Sequence, residues 1–275
     1  DLSTFLMPPE SVRWYGRRNI NVPKMPTGFQ SGIIEPPLII VDQSPLDVVQ
    51  QVHAEGLNDR KPICVVIEVA DFDKKGLLNM SESRTTSVIQ QNLMVRTDFA
   101  RFVEQAKSCC RSSLCSVRDH LTAQHDPYVF TCPNVTMFRG SRDDGYPFLE
   151  KPVHMNCIVT AMTCTRPAVA TSRGLGTGDK CEWYSSDADQ TALLERLSLI
   201  GFAGLQNMDP EEKPILVLSA LGCTDRGLHP RDAVANSLKH WRTRFNRLFS
   251  TVFLACGPDR DLAEHCDLAV NRQLY

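Results

Sequence analysis

The chain has 275 residues, a formal net charge of -2 at pH 7, 42% hydrophobic residues and 23% charged residues. This composition is typical of a soluble globular protein and excludes a disordered chain, a collagen-like repeat and a coiled coil. The length suits one large domain or two small ones, with a core that needs no disulfide or metal. The near-neutral charge argues against wholesale electrostatic binding of nucleic acid, although it allows a local basic patch.

The eleven cysteines do not suggest a disulfide framework. Their number is odd, and several lie in apolar runs, such as Cys64 in ICVVIEVA and Cys256 in TVFLAC, where a free thiol behaves as a small hydrophobic group. We therefore expect free thiols and an intracellular, reducing compartment. No apolar run reaches the ~18–20 residues of a membrane span. No targeting segment is visible. Because the chain begins at Asp1, it is compatible with a targeting segment that has been removed by cleavage.

Residues 1–35 are rich in Pro, Gly and Arg. We predict an extended arm that docks on the body of the domain through Trp14 and Tyr15. Residues 36–275 are predicted to form one domain, since no long linker divides them.

The body begins with a predicted strand over 37–43 and a helix that starts at Pro45 with Ser44 as its N-cap. A second strand is predicted over 64–70. The apolar spacing then predicts a single helix over 92–108, followed by an irregular stretch over 109–133.

Two further strands are predicted over 135–139 and 153–161, joined by the turn-rich segment RGSRDDGYP. The glycine-rich segment 171–180 is predicted to be a loop, and the next helix is predicted to begin at Asp187.

The last predicted elements are a strand over 214–222, a helix with an apolar stripe from Val234 to Leu248, and a strand over 251–256. Strands that alternate with helices predict an α/β fold whose mainly parallel sheet is covered on both faces.

In open α/β sheets, ligands bind outside the carboxyl ends of the strands. Three turns follow such ends: 71–79, 162–167 and 222–230. The last contains Gly222-Cys-Thr-Asp-Arg-Gly227 and leads into a helix, an arrangement that suits an anion. Its glycines match neither the dinucleotide-binding nor the Walker A pattern, so an ordinary strand–helix turn is the alternative.

Two cysteine-based sites are weaker alternatives. Cys109-Cys110-x4-Cys115 with His120 and His125 invites a zinc site, but adjacent cysteines do not give the usual ligand spacing. Cys223 lies between a strand and a helix, where a helix dipole lowers a thiol pKa. We predict neither a metal nor a cofactor.

The helix with the apolar stripe has a basic polar side. Only Asp232 offsets this run of cations, so a surface for phosphate or for an acidic partner competes with a simple solvated face. The predicted basic surface consists of Lys239, Arg242, Arg244 and Arg247.

Residues 215–256 resemble the C-terminal part of the bacterial-type poly(ADP-ribose) glycohydrolases, which have a strand, a G-C-G-x-x-x-N-like loop, "P-x-x-V-A" opening a helix and "F-x-x-V-x-F" entering a strand. Residues 38–70 and Tyr128 to Thr163 are similar to the family's earlier segments, so the resemblance covers roughly 35–270. It implies a macrodomain-like three-layer α/β/α sandwich with a mixed, mainly parallel sheet. The ligand-binding positions that we predict are Asp71, Gly76, Arg96, Gly222, Cys223 and Gly227.

The chain departs from the family at the catalytic loop. Lys74-Lys75-Gly76 stands where the family has glycines, and Gln90 and Gln91 stand where it has two glutamates, if the alignment is anchored on Leu93. Arg96 matches the family's Arg. Glycosidic cleavage needs a carboxyl group that donates a proton and then activates water, and Gln cannot do this.

The resemblance and its departures together predict a catalytically degenerate glycohydrolase-like domain, a pseudoenzyme that acts as a binding or scaffolding module. We expect a protein partner, with RNA contacted through the basic helix as a further candidate, weak or absent ADP-ribose binding, and no membrane association. The alternatives are an active ADP-ribose glycohydrolase that uses another acid near the same turn, or a macrodomain that binds ADP-ribose without cleaving it. Candidates for that acid are Glu68, Asp71, Asp73 and Glu82.

Overall fold

The computed structural model describes residues 12–16, 38–58, 61–68, 88–103, 105, 128–160, 169–171, 181–183, 187–206, 212–219, 229–257 and 260–271. The strands are β1 (Arg13–Gly16), β2 (Ile39–Val41), β3 (Ile63–Glu68), β4 (Tyr128–Arg139), β5 (Phe148–Thr160), β6 (Val169–Thr171), β7 (Cys181–Trp183), β8 (Ile215–Ser219) and β9 (Thr251–Ala255). The helices are α1 (Pro45–Ala54), α2 (Val88–Arg96), α3 (Asp187–Ala203), α4 (Arg231–Phe245) and α5 (Arg260–Val270), and a 3-10 turn spans Asn246–Leu248.

Seven of the described strands form one sheet in the order β1-β4-β5-β3-β8-β9-β2. The strands β5, β3, β8, β9 and β2 are paired in parallel, whereas β4 is antiparallel to both of its neighbours. The short strands β6 and β7 form a separate antiparallel pair. The predicted mixed, mainly parallel sheet is therefore confirmed.

Helices cover both faces of this sheet. On one face the core is built from α1, α2 and the residues that follow α2, with Val49, Leu93 and Phe99 fully buried. On the other face it is built from α3, α4 and α5. The strands between them alternate their side chains between the two cores, which is the three-layer α/β/α sandwich that the resemblance implies.

The first helix begins as predicted. The Ser44 side chain accepts a hydrogen bond from the backbone N–H of Asp47, and Pro45 occupies the first turn, where its missing N–H costs nothing. The buried side of α1, which includes Val48, Val49 and Val52, follows the predicted helical spacing.

The single helix predicted over 92–108 is wrong, because the chain breaks at Thr97. This residue forms an isolated antiparallel bridge with Met137, and Asp98 exchanges hydrogen bonds with the backbone of Thr136. The Thr97 hydroxyl donates to the carbonyl of Leu93 and accepts from the N–H of Phe99, so one side chain serves the end of α2 and the start of the next helical turn.

The irregular stretch predicted over 109–133 is also wrong where the structure describes it, since β4 begins at Tyr128. Pro133 and Asn134 are unfavourable in a strand, so the sequence pattern does not indicate a strand here. They lie at a register shift between Cys132 and Val135, where Asn134 has a φ of 54°.

Two elements extend the sequence analysis at the ends of the chain. The described part of the arm is a strand, β1, that pairs with β4, and Tyr15 is buried as predicted. The Trp14 side chain lies outside the described residues. No prediction was made for α5, which packs against α4 and β2.

A close helix contact in the second core depends on Gly201 in α3. A Cβ atom at this position would lie 2.5 Å from Cδ1 of Phe245, whose ring also packs edge-on against Phe202 with centroids 4.9 Å apart. Any side chain at position 201 would therefore push α3 and α4 apart.

We predict that Gly201→Ala lowers the free energy of unfolding by about 1–3 kcal/mol, because the added methyl group overpacks the core against a buried ring. Gly204→Ala is the matched control. Its Cβ atom would approach the outer edge of Phe249 at 3.2 Å and Cδ1 of Ile158 at 3.5 Å, so its cost is smaller. Urea denaturation measures both variants, and an equal effect would contradict the assignment of Gly201 as the tighter contact.

Candidate functional site

The carboxyl ends of the central parallel strands meet at one edge of the sheet. Glu68 at the end of β3 is the register partner of Thr160 at the end of β5. On the other side of β3, β8 ends at Ser219, whose register partner is Ala255 at the end of β9. This is the edge at which α/β sheets bind ligands.

Polar side chains are concentrated at this edge. The hydroxyl of Ser219 donates to Oε1 of Glu68 at 2.5 Å, which joins the ends of β8 and β3. Nη1 of Arg196, from α3, donates to the hydroxyl of Thr160 at 3.4 Å. We call these four residues the edge cluster.

The edge cluster includes charged side chains in a region that water reaches poorly. Thr160 and Ser219 are fully buried, and Arg196 is 8% exposed. Desolvation of its guanidinium lowers the pKa of Arg196 to about 10, so the group stays charged near neutral pH. Glu68 is only half-buried. The cluster therefore combines a fixed cation, two hydroxyls and one carboxylate that reaches the surface, a set of groups able to hold a polar ligand.

Five of the predicted ligand-binding residues lie outside the described residues: Asp71, Gly76, Gly222, Cys223 and Gly227. The strands that precede them are described. The predicted loop 71–79 comes after β3 in the chain and the predicted loop 222–230 comes after β8, and these two strands are neighbours. The sheet thus brings the starting points of both loops together, and the individual residues stay predictions.

Gln90 and Gln91 lie on the helix α2, with side chains outside the described residues. Leu93, the anchor of the alignment, is fully buried in the first core, where it fixes one side of α2 against the sheet.

Arg96 ends the same helix and is fully buried. Nη1 donates to Oδ1 of Asp47 at 2.6 Å, Nη2 donates to Oε1 of Gln50 at 2.8 Å, and Nε donates to the carbonyl of Arg139 at 3.3 Å. All three nitrogens thus have partners in α1 and β4. These contacts give Arg96 a structural task, and its predicted contact with a ligand remains a prediction.

The comparisons with known proteins concern the whole fold. No family model matches the chain, and no curated protein matches it significantly in sequence. Among solved structures, the poly(ADP-ribose) glycohydrolase of Thermomonospora curvata is 13% identical with a TM-score of 0.61, covering 94% of this chain and 85% of that one. A poly(ADP-ribose) glycohydrolase of Deinococcus radiodurans in complex with ADP-ribose is also 13% identical, with a TM-score of 0.56 and coverages of 86% and 84%.

The chain has the fold of the bacterial poly(ADP-ribose) glycohydrolases. The structural likeness confirms the resemblance that the sequence motifs indicated, at the level of the fold. It extends to a mutant of the Deinococcus protein in complex with ADP-ribose, at 14% identity, a TM-score of 0.56 and coverages of 96% and 94%. The match therefore spans most of both chains.

Three members of the edge cluster were missed in the sequence analysis of this glycohydrolase fold. Ser219 ends the apolar strand ILVLS, and Thr160 ends the apolar run CIVT at the end of β5. A hydroxyl residue at the end of such a run is a usable signal. Arg196 is different, because a cation within a helical pattern is normally solvent-exposed. Glu68 was considered only among the alternative acids.

The predicted basic surface divides into two parts. Arg242 is used within the fold, since Nη1 donates to the carbonyl of Val270 at 2.9 Å and to Oδ1 of Asn271 at 3.3 Å. The Asn271 amide in turn pairs with the backbone N–H and carbonyl of Leu38. Lys239 and Arg244 are exposed, and Arg247 is half-buried.

The described residues contain no group of three or more His, Cys, Asp or Glu side chains placed to hold a metal ion. The cysteines and histidines of the alternative zinc site, from Cys109 to His125, fall outside the described ranges. None of the described helices is both long and apolar enough to cross a bilayer.

The described thiols are free and buried. Burial raises the pKa of Cys64 to about 12 and raises the pKa values of Cys132 and Cys157 well above the ordinary value for a thiol. Because a thiolate is the reactive form, these three groups are unsuited to nucleophilic catalysis.

We predict that iodoacetamide at about pH 8 leaves the buried thiols of the native protein unmodified, and that it modifies them after unfolding in guanidinium. Mass spectrometry of the tryptic peptides makes the comparison. Modification of the native protein at the unfolded rate would contradict the burial. The thiols to be followed are Cys64, Cys132, Cys157, Cys256 and Cys266.

Proposed function

We propose that this chain is a catalytically degenerate poly(ADP-ribose) glycohydrolase-like domain that acts as a binding or scaffolding module in a protein or RNA–protein assembly. The observation that carries the proposal is the position of α2. Buried Leu93 and Arg96 fix this helix in the fold. The resemblance assigns two glutamates to positions on the same helix, where this chain has Gln90 and Gln91.

The chemistry of these two side chains supports the loss of turnover. A glycohydrolase needs a carboxylic acid to protonate the leaving oxygen and a carboxylate to activate water or attack the sugar. An amide is close to a carboxyl group in shape, but it neither delivers nor accepts a proton near neutral pH. The domain thus keeps the shape of the glycohydrolases without the groups that the resemblance assigns to catalysis.

Lys74 and Lys75 also support this proposal. In the resemblance they stand where glycines allow the backbone to approach the ligand. Two long cationic side chains at such a place disfavour the close backbone contact that holds a diphosphate in a reactive geometry. We therefore propose weak ADP-ribose binding or none.

The edge cluster favours a second candidate, an active glycohydrolase or an ADP-ribose-binding domain. Glu68 is a carboxylate at the ligand-binding edge of the sheet, held by the hydroxyl of Ser219. A carboxylate in this position suits hydrogen bonds to ribose hydroxyls or proton transfer to a glycosidic oxygen. This candidate and the first differ in whether ADP-ribose binds.

We predict that the protein does not hydrolyse poly(ADP-ribose), and that Gln90→Glu together with Gln91→Glu gains no activity. General acid–base catalysis contributes only about 10²–10⁴-fold, and the remaining rate depends on holding the substrate. Release of ADP-ribose, measured by chromatography against a bacterial poly(ADP-ribose) glycohydrolase as the positive control, tests both proteins.

Turnover by the unmodified protein would contradict the degenerate assignment. Glu68→Gln is then the deciding variant, and Glu55→Gln, which alters an exposed carboxylate after α1, is its matched control. Loss of activity only in Glu68→Gln would support the second candidate. Tight ADP-ribose binding in calorimetry without turnover would instead support a binding domain.

A further inference from the structure

The second half of α4 carries basic side chains on its exposed side. Lys239, His240 and Arg244 are exposed on this helix, and Arg247 follows in the 3-10 turn. Residues 231–247 contain five Lys and Arg but one Asp. We call Lys239 and Arg244 the α4 cationic face.

The carboxylates of the described residues do not neutralise this face. No salt bridge joins Lys239 or Arg244 to any of them, and Asp232, the one acid of α4, instead faces His265 of α5 at 3.3 Å. Arg242 points into the contact with α5 and does not belong to the face. Among the described residues, no carboxylate therefore competes with a partner for Lys239 and Arg244.

Arg244 is held in place by aromatic rings. Its guanidinium carbon lies 5.3 Å from the ring centre of Phe202 and 5.4 Å from that of Phe245. This packing reduces the side-chain freedom that binding would otherwise remove, and it costs none of the guanidinium N–H donors. Such a group is suited to paired hydrogen bonds with a phosphate.

We propose that the α4 cationic face binds the phosphodiester backbone of nucleic acid. A folded protein partner would need an apolar centre in its interface, and the exposed large hydrophobic residues of the described chain all lie elsewhere: Ile39, Leu57, Phe148 and Leu268. Cations without an apolar patch are typical of contacts with phosphates. From Lys239 to Arg244 the helix advances about 8 Å, enough for contacts with two consecutive phosphates.

The position of the face separates it from the candidate ligand site. α4 follows the carboxyl end of β8 and ends just before β9 begins, so the residues near Arg244 lie toward the amino edge of the sheet. The edge cluster lies at the opposite edge. Nucleic-acid binding therefore does not depend on whether ADP-ribose binds at all.

The test uses the whole chain and a fluorescein-labelled single-stranded RNA of about 20 nucleotides, with fluorescence anisotropy at about 50 mM salt. Lys239→Glu with Arg244→Glu is expected to weaken binding about tenfold or more. Because two phosphate contacts are lost, the plot of log K against log salt concentration also becomes less steep, by about 1.4 in the magnitude of its slope. Arg142→Glu with Lys151→Glu is the matched control, because it changes the net charge equally at two exposed residues of the β4–β5 hairpin.

Three results would overturn the proposal: no RNA binding by the unmodified protein, equal weakening in both double variants, or displacement of the RNA by poly-glutamate at the same charge concentration as by unlabelled RNA. The last would point to an acidic protein partner.

Thermal unfolding checks that the variants fold. If the glutamate variant does not, Lys239→Gln with Arg244→Gln must still weaken binding about threefold, and unchanged binding in that variant would overturn the proposal as well.

Discussion

The buried guanidinium of Arg96 ties together the parts of the fold that precede the candidate site. It bonds to Asp47 and Gln50 of α1 and to the carbonyl of Arg139 at the end of β4. A buried cation without partners costs several kcal/mol, so each of these acceptors has to stay in place. The end of α2, the start of α1 and the β4–β5 hairpin are thereby held in one arrangement, and Asp47 also accepts from the N-cap residue Ser44.

The residues that hold α2 in the fold are different from the positions that the resemblance assigns to catalysis. The contacts that hold α2 lie at its C-terminal end and on the face of the sheet, whereas Gln90 and Gln91 lie nearer its N-terminal end. Replacing a glutamate with glutamine at these two positions leaves all of the Arg96 contacts in place. A domain built this way can change the side chains at these two positions and keep its architecture, and this chain has the glycohydrolase fold at 13% identity. In the edge cluster, Thr160 and Ser219 are likewise held in place by the strands that carry them.

Much of the fold was predictable from the sequence, because continuous apolar runs mark strands buried on both faces and because Ser44 and Pro45 mark the start of a helix. The break at Thr97 was not, since it depends on a bridge to Met137, forty residues away. Neither was Arg196, because a cation in a helical pattern says nothing about Thr160 at the end of a distant strand. The division of the basic residues also required the structure, because the contacts of Arg242 with Val270 and Asn271 distinguish it from the exposed Arg244. The edge of the site was predictable from the order of strands and turns, but the contacts that the individual side chains make there were not.

The most direct test is a double-mutant cycle of Arg96→Met and Asp47→Asn, followed by urea denaturation. The account predicts that each single variant is destabilised, and that the two residues are coupled by about 1–2 kcal/mol, the range expected of side chains in direct contact. The exposed third of the Asp47 side chain keeps the coupling below that of a fully buried pair. Additive effects, with a coupling within about 0.3 kcal/mol of zero, would show that Arg96 does not hold α1 and α2 together and would contradict the account.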